Sequence, residues 1–334
     1  MRTKLMFVAA LAVASAAQAQ IALDGAADAA YGSPVAVQNT QTGFGDSNLG
    51  VIDYANGSEI DALYAKVDSG FLYLVVAGNL ESNFNKLEIF IDGVAGGQNK
   101  LRGNNPDVDF NGLNRMGDDG TGNGMTFDKG FAADLWVSLT CGGSPFAVYM
   151  NQAQLLTKGG GTGGYLGTGG AGAAGSATFK SGFGFGVDNS NAAGVAGGTL
   201  LGSGKGVSTG VEVKIPLSAI PGYTSGDLKV FVAVNGGGHD YLSNQVLGPL
   251  GGGGNLAEPR LVNFNNIPGN QFVTISTAAA CVGDLDGNGV VEAADLAALL
   301  NAWGSAGPTG DLDGNGVVEA ADLAALLNAW GACP

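Results

Sequence analysis

Twenty-two residues near the C-terminus are written twice. The stretch GDLDGNGVVEAADLAALLNAWG runs from Gly283 to Gly304 and again, unchanged, from Gly310 to Gly331, a period of 27 residues with the spacer Ser305 to Thr309 between. In each copy, carboxylate and amide side chains alternate around a central glycine. Numbered from Asp284, the first copy places Asp286 at position 3, Asn288 at 5, Gly289 at 6, the Val290 carbonyl at 7, Glu292 at 9 and Asp295 at 12. The second copy gives the same places to Asp311, Asp313, Asn315, Gly316, Val317, Glu319 and Asp322. Alternate oxygen donors around a tight turn suit a hard cation that takes six to eight oxygens at roughly 2.3 to 2.6 Å, so the spacing predicts two calcium loops, one ion each. Soft metals and phosphate do not match this donor set.

Ligands at such spacing need an element to hold the far end of the loop. An apolar pattern follows each one: Leu296, Leu299, Leu300 and Trp303 recur at i, i+3, i+4 and i+7, which predicts helices over Glu292 to Trp303 and Glu319 to Trp330. Gly304 and Gly331 stop them. A region of 54 residues, 281–334, buries too little apolar surface to stand alone, so it needs staples. Two calcium ions would supply two, and a Cys281–Cys333 disulfide bracketing the repeats, in an oxidising compartment, would be the third. A plainer reading keeps the ions as stiffeners of a tail and nothing more.

No comparable helix precedes either loop, and position 12 is Asp where a full EF-hand has Glu. Both features, with two loops, two following helices and a spacer containing Pro308, resemble the type I dockerin repeat over 281–334. The resemblance implies a module that docks onto a cohesin-like extracellular protein. In that family the residues at loop positions 10 and 11 contribute to partner choice. Here they are Ala293, Ala294, Ala320 and Ala321, which offer no side-chain hydrogen bonds and imply an apolar contact. Identical copies also imply docking through either one after a half-turn.

The rest of the chain sets the compartment. Arg2 and Lys4, the apolar run Leu5 to Ala14 and the small-residue end Ala17-Gln18-Ala19 predict a secretory leader over 1–19, and hence a secreted or cell-surface protein. The apolar run is too short to span a bilayer, and no other run approaches the length needed. Formal charge is −15, and more negative without the leader's two cations. Nucleic acid and anionic membranes are poor partners for such a chain. Residues 281–334 hold eight carboxylates and no lysine or arginine, which calls for neutralising cations. Cys141 is left over and reads as a buried small hydrophobe.

Residues 20–276 read as one β-domain, followed by a linker over 277–280. The clearest element is a hairpin, Ala62 to Val67 and Phe71 to Ala77 around Asp68-Ser69-Gly70, with apolar alternation in its first arm. Further strands are expected at Lys86 to Ile91, Ala133 to Leu139, Phe146 to Met150, Ala177 to Val187, Val211 to Ile215, Leu228 to Val234 and Gln271 to Ile275. About nine strands in all suffice for a two-sheet antiparallel sandwich. Residues 102–124, with Asp107, Asp109, Asn111, Asp118 and Asp119, read as a solvated loop, an ion cradle being the alternative. Residues 159–175, ten of them glycine, read as a mobile loop.

Ile21 to Gly25, the Tyr64 to Val76 hairpin, Leu87 to Gly93 and Val211 to Leu217 together resemble the DOMON-like fold of family 9 carbohydrate-binding modules. The resemblance implies an antiparallel β-sandwich that holds a ligand, in some members a sugar stacked on paired tryptophans. Only Trp136 is present in this region. Catalysis has little to build on. His239 stands alone in Gly-Gly-Gly-His-Asp and reads as loop surface, with no Gly-x-Ser-x-Gly elbow. Glu88 with Asp92, or Asp107 with Asp109, would be the pairs for glycoside hydrolysis. The expected protein is therefore secreted and non-catalytic, its tail anchoring a ligand- or carbohydrate-binding β-domain. A component of polysaccharide breakdown, or a structural surface protein, are the alternatives.

Overall fold

The computed structural model describes residues 21–45, 57–170, 174–277, 282–286, 288–306 and 309–333. The expected leader and Cys281 lie outside these. The chain divides into two compact units, one over 1–223 and 229–273, the other over 224–228 and 274–334. The second unit thus begins a few residues before the expected linker and takes in a short segment from the middle of the chain.

The first unit is mainly β and antiparallel. One sheet holds β1 (Ala36–Val37), β2 (Glu59–Asp68), β3 (Phe71–Asn79), β8 (Ala174–Thr178), β9 (Gly184–Asp188) and β10 (Gly210–Pro216), in the order β1-β2-β3-β10-β9-β8. The other holds β4 (Lys86–Asp92), β5 (Leu135–Gly142), β6 (Ala147–Gln154), β7 (Gly163–Gly169), β11 (Leu228–Asn235) and β12 (Leu242–Leu247), in the order β12-β11-β4-β5-β6-β7. The short strand β13 is Val273–Ile275. The hairpin forms as expected, with Asp68 opposite Phe71 and only Ser69 and Gly70 in the turn, both at positive φ.

Alternation explains which face each side chain takes. Leu72, Leu74 and Val76 are buried on one face of β3, while Tyr73, Val75 and Ala77 face outward into a cluster with Tyr31, Tyr64 and Val207. That outer layer is fastened by Glu212 on β10, which accepts the Tyr31 hydroxyl at 2.5 Å and the Asp24 and Gly25 amides at 2.9 and 3.1 Å. On the other sheet, Phe90 and Trp136 face outward and are roofed by Leu101, Val108, Leu113, Met116, Met125 and Phe127. The 102–124 segment is therefore a packed cover carrying a short helix, α1 (Gly112–Arg115), and is not merely a solvated loop.

Two further expectations are corrected. Ala177 to Val187 is not one strand: β8 and β9 pair as a hairpin, Thr178 opposite Gly184, with Gly182 at φ +88° in the turn. The glycine-rich stretch contains β7, hydrogen-bonded to β6 from Val148–Gly169 to Ala153–Gly163. Main-chain bonds place this strand at the sheet edge despite the entropic cost of its glycines; 171–173 lie outside the described residues.

In the second unit, α2 (Ala293–Asn301) and α3 (Ala320–Asn328) end two residues before the tryptophans. The strand β14 (Val290–Val291) pairs with β15 (Gly331–Ala332). The same pairing recurs one period away, Gly304 N–H donating to Val318 O at 2.9 Å and Val318 N–H to Ser305 O at 3.2 Å. Each copy's loop exit is thus paired with the end of the other copy's helix. Val291, Leu299, Val318 and Leu326 form the small core. Leu300, Trp303, Leu327 and Trp330 are 46 to 51 % exposed, so half of the expected apolar face meets solvent.

Candidate functional site

The duplicated loops close on their carboxylates. Asp284, Asp286 and Asp295 each bring an oxygen within 4.8 Å of the others, and Asp311, Asp313 and Asp322 repeat the arrangement. These are positions 1, 3 and 12, the last of them nine or more residues from the first two in sequence and brought back to them by a turn whose Gly289 and Gly316 sit at φ +86° and +91°. Side chains there would be strained, which is why position 6 is glycine in both copies.

Backbone amides fix each carboxylate. Asp284 accepts Asn288 N–H at 3.1 Å and Gly289 N–H at 2.8 Å. Asp295 accepts Leu285 and Asp286 N–H on Oδ1, at 2.7 and 3.2 Å, and Glu292 N–H on Oδ2 at 2.8 Å. Asp322 does the same with Leu312, Asp313 and Glu319. These bonds, that from Glu292 or Glu319 foremost, hold Asp295 and Asp322 below the usual carboxylate range. Oδ1 of Asp295 and of Asp322 spends both lone pairs on amides, whereas each Oδ2 accepts one amide and keeps a second lone pair, so the bonds orient the group and leave that oxygen able to bind a further partner.

Three oxygens within 4.8 Å fit the shell of one hard cation, whose ligands at about 2.3 to 2.6 Å stand at most about 5 Å apart. Each triad could hold a metal ion. Asn288 lies at the rim, its Oδ1 accepting Val290 N–H and its Nδ2 donating to Asp286. Glu292 and Glu319 are exposed at the helix N-caps, and Asn315 Nδ2 donates to Glu319 Oε1 at 3.3 Å. Val290 and Val317 are also exposed, with the former in β14. Ala293, Ala294, Ala320 and Ala321 form the first turns of α2 and α3 and are solvent-facing. Cys333 is disulfide-bonded and Cys141 is free and buried; the expected partner of Cys333, Cys281, is outside the described residues.

The first unit holds a charged network that the sequence reading misplaced. His239 is 2 % exposed, not loop surface. Its Nδ1 lies 2.6 Å from Glu88 Oε1 and its Nε2 2.9 Å from Asp109 Oδ2. Lys86 Nζ donates to the same Asp109 oxygen at 2.8 Å, and Trp136 Nε1 donates to Glu88 Oε2 at 2.8 Å. Trp136, fully buried, is therefore a prop for Glu88 and offers no stacking face. Burial opposes a charged imidazole, but the Glu88 charge and hydrogen bonds to Asp109 and Glu88 outweigh it and push His239 up to about 9. Burial would also raise Asp109, yet hydrogen bonds from His239 and Lys86 hold it at about 2.

The proposed glycosidase pairs do not share a cleft. Glu88 is engaged by Trp136 and His239, while Asp92 takes Lys229 and the Ala132 amide. Asp107 is exposed, and Asp109 is bound to two cations. Only the Gly-Gly-Gly-His run, with His239 at φ +55°, hinted that this histidine is held in place. No described helix is long and apolar enough to cross a membrane. No protein-family model, curated protein or solved structure matches the chain.

Proposed function

We propose that this is a secreted, non-catalytic, calcium-binding protein whose C-terminal unit is a dockerin-like module anchoring a ligand-holding β-sandwich to another extracellular protein. One observation carries the reading: two identically built carboxylate triads stand in a 54-residue region without a single lysine or arginine. Three converging anions with no cation of the chain's own repel one another, and a divalent ion would relieve that. All the donors are hard oxygens, and a loop with two to three carboxylates and a backbone carbonyl suits calcium better than magnesium, which keeps its own water shell.

Asp284, Asp286, Asn288, the Val290 carbonyl, Glu292 and Asp295 would hold the first ion, and their counterparts Asp311, Asp313, Asn315, Val317, Glu319 and Asp322 the second. Bound calcium would neutralise the loop charge and fix the N-terminus of each helix. The exposed Leu300, Trp303, Leu327 and Trp330 then offer an apolar surface to a cohesin-like partner, beside the four alanines.

Titration of the full chain by calorimetry is expected to give two calcium ions per molecule. Asp286 and Asp313 are exposed, so Asp286→Asn or Asp313→Asn should spare the apo fold and weaken one site about tenfold or more. Capture of a partner from culture medium should require calcium. Absence of calcium heat, or equal capture of the same partner after chelation, would refute the corresponding half of the reading.

A further inference from the structure

We propose that the β-unit binds a small aromatic carboxylate, its ring in an apolar opening on the outer face of β4 to β7 and its charge in a cation-lined opening that adjoins it. The inference rests on the reading that the β-unit holds a ligand, and it names the site and the ligand class. The larger opening, of about 560 Å³, is lined by Phe84, Phe110, Tyr149 and Tyr165 together with Thr140 and Asn151, and its surface is almost wholly apolar. The smaller, of about 250 Å³, is lined by Arg115, His239, Arg260, Gly237 and Gly238. Lys86, Asp109 and Phe110 line both, so the two meet there. Small-ligand sites span roughly 300 to 1,000 Å³ and set a few placed polar groups beside an apolar surface.

Strand register assembles the apolar part. Lys86 pairs with Thr140, and Thr140 with Tyr149. Asn151, further along the same strand as Tyr149, pairs with Tyr165. The Thr140 hydroxyl already donates to the Asn85 carbonyl at 2.8 Å. Phe84 is 46 % exposed at φ +67°, its ring 6.4 Å from that of Tyr149. Phe110 is fully exposed, in the middle of three successive non-glycine residues, Asp109, Phe110 and Asn111, at φ +51°, +55° and +66°. Such backbone is unfavourable and persists because Asp109 is tied to both Lys86 and His239. Four rings at one opening favour a flat aromatic partner, since ring pairs gain from offset and edge-to-face contact beyond the area they bury.

The adjoining opening selects charge. Lys86, Arg115, Arg260 and the protonated His239 line it against one carboxylate, Asp109. The other anions that pair with these cations, Glu88, Glu258 and Asp119, lie outside its lining. Arg115 and Arg260 are two of the three arginines beyond the expected leader. Neither is used up: Arg115 gives two N–H groups to Glu258, and Arg260 one each to Gly117 and Asp119, of the five that a guanidinium carries. Lys86 is 5 % exposed, and only one of its three protons has an acceptor among the described residues, Asp109 Oδ2. The Gly237 and Gly238 amides donate to no described residue. A buried ammonium with protons to spare, where two openings meet, is unfavourable unless a further acceptor reaches it.

A carboxylate matches a guanidinium fork in shape and accepts from an ammonium as well. Asp109 in the same lining and the −15 charge of the chain weigh against an ion of higher charge, such as a phosphate dianion. A neutral ring would leave the cations unmet, and an aliphatic acid would forgo the ring contacts. An aromatic carboxylate answers both openings at once.

The test is calorimetry of the full chain with cinnamate, and with cinnamyl alcohol, octanoate and inorganic phosphate as arms that lack in turn the charge, the ring and the apolar body. Cinnamate is expected to bind about tenfold or more tighter than each of the three. Phe110→Ala and Arg260→Gln should each weaken cinnamate about tenfold or more, whereas Leu200→Ala, at an exposed residue outside both linings, should not. Because Phe110 is exposed, its variant should keep the wild-type unfolding midpoint, which separates lost binding from lost fold. Cinnamyl alcohol, octanoate or phosphate bound as tightly as cinnamate would overturn the ligand class, and cinnamate binding untouched by both variants would overturn the site; each result leaves the ligand-holding reading standing. Affinity gels with hydroxyethyl cellulose separate the two readings. Retardation without cinnamate binding would overturn this inference alone, and neither signal would overturn it and count against the ligand-holding reading as well.

Discussion

His239 shows how one residue can order a region far from it in sequence. It bridges Glu88 and Asp109, 151 and 130 residues away, and the folded state favours its protonated form. The stability it contributes is fully present below its ordinary value of about 6.5 and is lost as pH rises through about 9. Asp109, held at about 2, contributes above the ordinary carboxylate value and loses that only as pH falls toward 2. Asp61 acts in the alkaline direction too: burial and the Glu59 charge push it up to about 8, so the folded state keeps a proton and stability declines between about pH 4 and 8. Denaturant unfolding from pH 5 to 10 should therefore show a falling curve. His239→Gln, which leaves Glu88 buried without its cation, should cost about 3 to 5 kcal/mol at pH 6 and remove the limb near pH 9; an unchanged limb would show that this histidine does not titrate as argued. The isolated histidine in the sequence gave no sign of its two carboxylates, because a contact across such separations leaves no local spacing to read.

Among elements, those with strong period-two alternation were legible and those built from glycine or buried amides were not. The β2–β3 hairpin, β4, β10 and β11 follow the apolar pattern closely. β7 is glycine at four of its seven positions, and β12 carries Ser243, Asn244 and Gln245 fully buried, so neither displays an apolar period. Their side chains instead serve the main chain of neighbouring segments, as Gln245 Oε1 does in accepting Ile60 N–H at 3.0 Å. The α1 segment was hidden for a similar reason, being a single turn. Its Gly112 lies so close to the His239 ring that an added methyl group would overlap it. Gly112→Ala should accordingly destabilise by about 1 to 3 kcal/mol and shift the histidine titration, read by NMR, down toward its ordinary value. A wild-type titration in that variant would mean that α1 does not position the ring.

At the scale of the whole chain, the candidate metal loops were legible because their donors are local, whereas the opening lined by Phe84, Phe110, Tyr149, Tyr165 and Asn151 was not, because strand register assembles it. The tail's core is small, four buried side chains in two identical pairs. Leu299→Ala and Leu326→Ala occupy corresponding places, so each should cost about 2 to 5 kcal/mol, and by nearly the same amount, in thermal melts followed by helical circular dichroism. A large difference between them would show that the copies are unequal in the folded tail.

The reciprocal pairing of β14 with β15, and of Val318 with Gly304 and Ser305, bears on assembly. Neither copy completes its own short ladder; each borrows the other's helix end. Since the two sequences are the same, a copy from a second molecule presents the same contacts as the resident one, which the spacer from Ser305 to Thr309 keeps nearer. Exchange of repeats between chains is thus opposed by proximity and by the disulfide at Cys333, and crowding these tails on a surface would favour interlinked pairs held by the same hydrogen bonds as the monomer.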